Sequence, residues 1–546
     1  MNAAQLLVKC LEVERIKYIF GLPGEENLAF LEALRSSSIT FIVTRHEQAA
    51  VFMAATVGRL TGKVGVALTT LGPGATNTVT GVAHAQLGGM PLLIITGQKP
   101  VRTSKQGAFQ LIDIVQLMKP ITKMSATITS AARVPAIIHE AIKLAESERP
   151  GAVHLELPED IADEETEAKP FLPIKVRRPS PDIKAVSEAV SAIEKAKHPL
   201  ILLAAGANRK LVRDSLRAFI EKTGIPFVTT QMGKGVEDEG SDKYLGTAAL
   251  SDNDYVHCAL HYADLILVVG HDISEKPPVI LTTQTHTVIH VNFFEATTDD
   301  VYVPTLEIIG DIAASVKAIT KDIKPQTSWD LDYFERLRNF LQEHIKIKTT
   351  DAEFPPKPQR IVADLRAVMP RDGILSLDNG MFKIWIARNY PAFEQNTVLL
   401  DNALATMGAG LSAGIAAKLL NPSRKVVVVA GDGGFMMSVG ELETAKRLGL
   451  DLVVLLLRDD SFGMIRWKQE ELGLPNFGLN FTNPDFIKLA ESFGAKGYRI
   501  TETESLRPTL EKAFNESGIQ FIDCPIDYSE NAKVFGEELR EKTCNL

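Results

Sequence analysis

Lys425–Met464 reads KVVVVAGDGGFMMSVGELETAKRLGLDLVVLLLRDDSFGM and parses as strand, glycine turn, helix, strand and polar turn. Unbroken runs of Val and Leu suit strands covered on both faces, and the helical-length stretch between them makes a βαβ unit. Asp432 follows the first strand and Asp459 the second, 27 positions later. The C-terminal ends of neighbouring parallel strands share one edge, where ligands bind. Both carboxylates can therefore face one site, together with backbone carbonyls of the second turn. Oxygen ligation of that kind suits Mg²⁺ or Ca²⁺ rather than zinc. Gly431, Gly433 and Gly434 allow close backbone approach, and the N–H groups that open the next helix favour phosphate. Gly-Asp-Gly alone could be a tight turn, and Asp459-Asp460 a solvated loop. Their placement after two successive strands points instead to a metal-bridged diphosphate. The GxGxxG fingerprint of a dinucleotide fold is missing after this strand.

The same alternation extends outward through the chain. FIVTRHE, VGVALTTLG, PLLIITG, AVHLELP, LILLAAG, DLILVVG, TVIHVNF and FIDCPID are further apolar runs separated by helical-length segments. They predict α/β architecture with three doubly wound parallel-sheet domains. Two proline- and charge-rich stretches, about 159–182 and 322–358, read as linkers. The domains are expected at 1–165, 183–325 and 355–546.

At 546 residues the chain is too long for one hydrophobic core. It is 45% hydrophobic and 23% charged, an ordinary globular balance, and its net charge of −9 argues against nucleic acid as a partner. Four scattered cysteines (Cys10, Cys258, Cys524, Cys544) form no CxxC pair, so four reduced thiols and a cytoplasmic enzyme are expected. Glu12, Glu14 and Arg15 interrupt the apolar run that a signal peptide needs. No stretch of about 18 apolar residues occurs, so no membrane span is expected.

These motifs resemble those of thiamine-diphosphate enzymes, whose signature begins GDG and ends some 27 residues later, usually in Asn-Asn; here Arg458-Asp459 stands at that end. The resemblance implies that Asp432, the Asp459 side chain and the Ser461 backbone carbonyl bind Mg²⁺. It also implies that Gly431, Gly433, Gly434, Phe462, Gly463 and Met464 contact the cofactor. Glu47, in TRHEQAAVFMA just after an apolar run, could by itself be a first-turn helix acid. By resemblance it hydrogen-bonds N1′ of the aminopyrimidine, a contact that favours the tautomer able to take the thiazolium proton. LTTLGPGATN, with Pro73 and Asn77, and GLPGEEN, with Gly24, resemble the rest of the family's pyrimidine (PYR) domain. GAFQ resembles an active-site segment of acetolactate synthases, which would put Phe109 and Gln110 on the substrate pocket. LDNGMFKIW places Gly380, Met381 and Phe382 near the diphosphate. Met407, in DNALATMGAG, corresponds to the apolar residue that wedges under the cofactor and holds it bent. The resemblance runs in family order from GLPGEEN to FIDCPIDYSEN, through PYR, central and diphosphate-binding (PP) domains.

Within the family the chain is most similar to acetolactate synthases of the catabolic type, where Asp is familiar at the position of Asp459. The biosynthetic type carries an Arg-Phe-Asp-Asp-Arg stretch that holds FAD; here the matching region reads VVGHDISEKPPVI, which makes FAD doubtful. Pro158-Glu159-Asp160-Ile161 replaces a Lys-bearing motif, and the change from basic to acidic weakens any carboxylate-holding role there. GMIRWKQ resembles an acceptor-site segment in which Trp467 would limit acceptor size. The implied reaction is decarboxylation of pyruvate and carboligation to a second 2-oxo acid, giving 2-acetolactate. A simple 2-oxo acid decarboxylase is the alternative, against which stands the absence of a His-His pair. A cofactor-binding protein without turnover is a third reading, opposed by Glu47, Asp432 and Asp459. The resemblance further implies a homodimer or homotetramer with active sites between subunits.

Overall fold

The computed structural model describes residues 1–544 apart from 103–106, 174–177, 209–211, 251–253, 273 and 276. Each apolar run quoted above is a strand in it, because branched aliphatic side chains pack well on a pleated surface covered from both sides. The first sheet holds β1 (Tyr18–Gly21), β2 (Thr40–Val43), β3 (Gly65–Thr69), β4 (Leu92–Gln98), β5 (Met124–Thr127) and β6 (Ala152–Pro158), in the order β2-β1-β3-β4-β6-β5. The second holds β7 (Pro199–Leu203), β8 (Phe227–Thr230), β9 (Tyr244–Ala248), β10 (Leu265–Val269), β11 (Thr287–Asn292) and β12 (Leu306–Ile309), ordered β12-β11-β10-β7-β8-β9. The third holds β13 (Ile374–Leu377), β14 (Val398–Leu399), β15 (Val426–Gly431), β16 (Leu452–Arg458), β17 (Lys496–Arg499) and β18 (Ile519–Pro525), ordered β14-β13-β15-β16-β18-β17. Every pairing within the three sheets is parallel, so the α/β architecture read from the sequence is present three times.

The strand order places a crevice in each sheet. The chain leaves β1 for β2 on one side and returns to β3 on the other; β13, β14 and β15 repeat this in the third sheet. Such reversals open a cleft at the C-terminal strand ends. In the second sheet the reversal lies between β7 and β10, where the loops after these two strands meet through their main chains. Gly206 N–H donates to Gly270 O at 2.7 Å, and a Cβ on Gly206 would stand 2.6 Å from that oxygen.

The chain forms two compact units. One comprises Met1–Arg177 with Ile415–Asn421 and Ser438–Leu450; the other comprises Arg178–Gly414, Pro422–Met437 and Asp451–Leu546. In the first, the helix Glu47–Thr61 buries Ala49, Ala50, Val51, Met53 and Ala54 and ends at Gly62, whose φ of +66° suits a left-handed cap. Its approach to β3 is close enough that a Cβ on Gly65 would meet Ala54 O at 1.8 Å. In the second unit, β15 and β16 run side by side with Gly431 opposite Leu457. Their inward faces join Leu375, Leu377, Tyr390 and Ile522 in one buried cluster.

The cysteine expectation needs correction. Cys258 and Cys544 are disulfide-bonded, and only Cys10 and Cys524, both buried, are free. The partners lie 286 residues apart, so local spacing carried no sign of the pair.

Candidate active site

At the C-terminal edge of the third sheet, three strand ends converge on a cavity of about 420 Å³. The turn after β13 contributes Gly380, Met381 and Phe382, and the loop before the helix Ala409–Leu420 contributes Met407. From the turn after β15 come Gly431, Asp432, Gly433 and Gly434, and from the turn after β16 come Asp459, Ser461, Phe462, Gly463 and Met464. All the residues that the sequence assigned to a diphosphate and its metal thus line one cavity. Small residues are needed here: a Cβ on Gly433 would meet Phe462 at 3.0 Å and Met407 at 3.3 Å, and one on Gly463 would meet Asp459 Oδ2 at 2.5 Å.

Two carboxylates face this space. Asp432 is 1% exposed; its Oδ1 accepts from Gly433 N–H (2.9 Å), and its Oδ2 from Asp460 N–H (2.8 Å) and Asn483 Nδ2 (2.7 Å). Burial raises its pKa. Asp459 is pushed up to about 7, first by burial and then by the charge of Asp432. Asp459 Oδ2 and Ser461 Oγ are buried without a hydrogen-bond partner among the described residues. Two buried carboxylates with raised proton affinity, one with an unpartnered oxygen, suit a hard divalent cation. Among the described residues no group of three His, Cys, Asp or Glu side chains could hold a metal. Further ligands would therefore have to be carbonyl, phosphate or water oxygens, the usual case for Mg²⁺.

Several residues of this region carry no motif of their own. Asp378, 1% exposed, accepts from Asn379 N–H (2.8 Å) and Gly408 N–H (2.8 Å), and burial pushes its pKa up to about 7. It fixes the loop that carries Met407, and a Cβ on Gly434 would stand 2.4 Å from its Oδ2. Lys383, Asn402 and Tyr528 also line the cavity. Asn483 reaches Asp432 from 51 residues away. Asp378, Lys383, Asn402 and Tyr528 lie inside the segments quoted above without having been assigned a role, and Asn483 lies outside them. Trp467 is 7% exposed and packs with Met381, Ile384, Trp385, Val534 and Phe535. It lines a neighbouring cavity of about 460 Å³, which shares Asp459, Gly463 and Tyr528 with the first.

The remaining sequence-assigned residues sit at the C-terminal edge of the first sheet. Glu47 opens its helix directly after β2, with His46 as N-cap, and its Oε2 accepts from Asn77 Nδ2 at 3.0 Å. Pro73 starts the short helix that precedes Asn77, and a Cβ on Gly74 would lie 3.6 Å from Glu47 Oε1. Gly24 packs on Thr70, where a Cβ would come within 2.4 Å. Gly72 approaches the main chain of Gln110, which has a φ of +56°. Phe109 is 64% exposed. Glu441, within the opening stretch, was assigned no role from the sequence. Only 1% exposed, it accepts from Arg45 N–H (2.9 Å) and His46 N–H (3.1 Å) through Oε1, and from Thr444 Oγ1 (2.7 Å) through Oε2. It thereby pins the turn immediately before Glu47.

Comparison with known proteins gives three family matches. Residues 1–117 match the N-terminal TPP binding domain of thiamine pyrophosphate enzymes, 186–319 their central domain, and 378–524 their C-terminal TPP binding domain. The catabolic acetolactate synthase of Raoultella terrigena is 34% identical over 98% of this chain and 97% of its own length. Acetolactate synthase of Bacillus subtilis (strain 168) is 32% identical over 98% of this chain and 95% of its own. The acetolactate synthase isozyme 2 large subunit of Escherichia coli (strain K12) is 30% identical, covering 97% and 96%.

Proposed function

Because the chain belongs to the thiamine pyrophosphate enzymes, and among them to the acetolactate synthase family, we propose that it condenses two molecules of pyruvate to 2-acetolactate with loss of carbon dioxide. The observation that carries this reading is the pairing of Asp432 and Asp459 beside a glycine turn at the edge of the third sheet. Bound there, thiamine diphosphate supplies a nucleophilic thiazolium carbon and an electron sink for the decarboxylation. Asp432, Asp459 and the Ser461 carbonyl hold Mg²⁺, and the backbone of Gly431–Gly434 and Gly380–Phe382 receives the diphosphate oxygens. Met407 supplies apolar bulk beside Gly433. Asn77 engages Glu47 Oε2, which leaves Oε1 to hold and pass the proton of the aminopyrimidine ring. Phe109 and Gln110 orient the acceptor pyruvate and keep water from it. FAD is left out of this reading because the stretch corresponding to the family's FAD-holding segment reads VVGHDISEKPPVI. A homodimer, alone or paired into a homotetramer, is the proposed active assembly, with sites between subunits.

The test is incubation of purified protein with pyruvate, thiamine diphosphate and Mg²⁺. Acetoin after acid treatment is the expected product. Acetaldehyde alone would identify a simple 2-oxo acid decarboxylase, and no carbon dioxide would refute both. Glu47→Gln should lower turnover by about 10²-fold or more, the usual weight of a positioned proton-transfer group. Near-wild-type rates would remove Glu47 from its role.

A further inference from the structure

Lys383 is the third residue of the helix Met381–Asn389 and is only 6% exposed. Lysine is almost never buried unless paired. Its Nζ donates to Asn379 Oδ1 at 2.6 Å, to Asn402 Oδ1 at 3.1 Å and, at the long distance of 3.4 Å, to the Asp401 carbonyl. All three acceptors are uncharged, and among the described residues Lys383 makes no salt bridge. The carboxylates that act on it from a distance are Asp401 and Asp378. Asp378 is itself taken up by backbone N–H groups of Asn379 and Gly408.

Among the described residues lining the cavity, Asp432, Asp459 and Lys383 are the charged ones, so Lys383 is its one basic group. A divalent cation would cancel the two carboxylates and leave this ammonium facing whatever anion enters. The Asp at position 459, where the family usually has Asn, makes such a compensating charge more necessary. Resting on the reading above, we propose that Lys383 is an oxyanion-binding residue of the cavity. It receives a phosphate oxygen of the cofactor's diphosphate or a carboxylate oxygen of the 2-oxo acid. The incoming oxyanion replaces the long contact to the Asp401 carbonyl, and an ammonium–carbonyl bond gives way to an ammonium–oxyanion pair in which both partners are charged. Burial, which lowers the lysine's pKa to about 8, is offset when the anion binds.

Lys383→Met and Lys383→Arg test this. Cofactor affinity is read without substrate from intrinsic tryptophan fluorescence, Trp385 lying two residues further along the same helix. The pyruvate KM is then measured at saturating cofactor and Mg²⁺. Loss of a charged hydrogen bond should cost roughly tenfold or more, with partial recovery in the Arg variant. A tenfold loss in cofactor affinity with unchanged KM assigns the diphosphate; a tenfold rise in KM with unchanged cofactor affinity assigns the carboxylate. Either supports the proposal, and both parameters within twofold of wild type overturn it. Wild-type protein that binds no thiamine diphosphate overturns the reading beneath it as well, which separates the two failures. Should Lys383→Met not fold, the wild-type protein still decides. Between about pH 8 and 9.5, where carboxyls raised to about 7 such as Asp378 and Asp459 are already largely ionised, one of the two affinities should fall as the ammonium deprotonates, and two flat profiles overturn the proposal.

Discussion

Asp459 is the residue whose electrostatics are most open to measurement. Its carboxyl titrates near 7 in the fold, against an ordinary value of 3.8. A carboxyl raised in this way binds more protons folded than unfolded, so its contribution to stability falls as pH rises from its ordinary value through 7. In metal-free protein, Asp459→Asn removes that penalty and the repulsion from Asp432. The variant should therefore melt higher than wild type at about pH 8, and the difference should shrink towards pH 4. Thermal melts at several pH values check this, and a pH-independent difference would show that Asp459 is not raised. The motif residues Gly431–Gly434 and Asp459 were legible because turn chemistry and strand ends are local. Lys383, Asn402 and Asn483 were not, because each acts through partners brought near only by folding.

The strongest strands were also the legible ones. β4, β6, β15 and β16 are long, almost wholly buried strands rich in aliphatic residues. β5 (MSAT), β14 (VL) and β17 (KGYR) are short strands at sheet edges, β5 and β17 part-exposed, with no apolar period to betray them. The helix Glu441–Arg447 shows what an element contributes beyond its own sequence. It follows the glycine turn in the chain, yet its first residue pins the turn that leads into Glu47. Glu441→Ala leaves those two N–H groups without their acceptor, at a cost of roughly 1–3 kcal/mol. Urea unfolding should record that loss, together with a fall in turnover at saturating cofactor because Glu47 loses its fixed start. An unchanged midpoint and rate would mean that the turn holds itself.

At the scale of the whole chain, the first and third sheets share one strand order and the second has another, and their edges differ accordingly. The first and third present glycine-lined turns with acidic side chains, while in the second Gly206 N–H meets Gly270 O at the reversal. The C-terminal segment is anchored twice, by the Cys258–Cys544 bond and by Tyr333 Oη donating to the Cys544 carbonyl at 2.8 Å. Alkylation under denaturing, non-reducing conditions should modify Cys10 and Cys524 alone, as read by mass spectrometry; labelling of all four would refute the pairing. Among the described residues no helix is long and apolar enough to cross a membrane. The most direct measurement of the central claim is ¹³C NMR of the reaction with [2-¹³C]pyruvate, thiamine diphosphate and Mg²⁺. Joining two pyruvates makes the two labelled carbons neighbours, so the expected result is a ketone and a carbinol resonance, each split by the other. A single unsplit acetaldehyde resonance, or unchanged pyruvate, would contradict it.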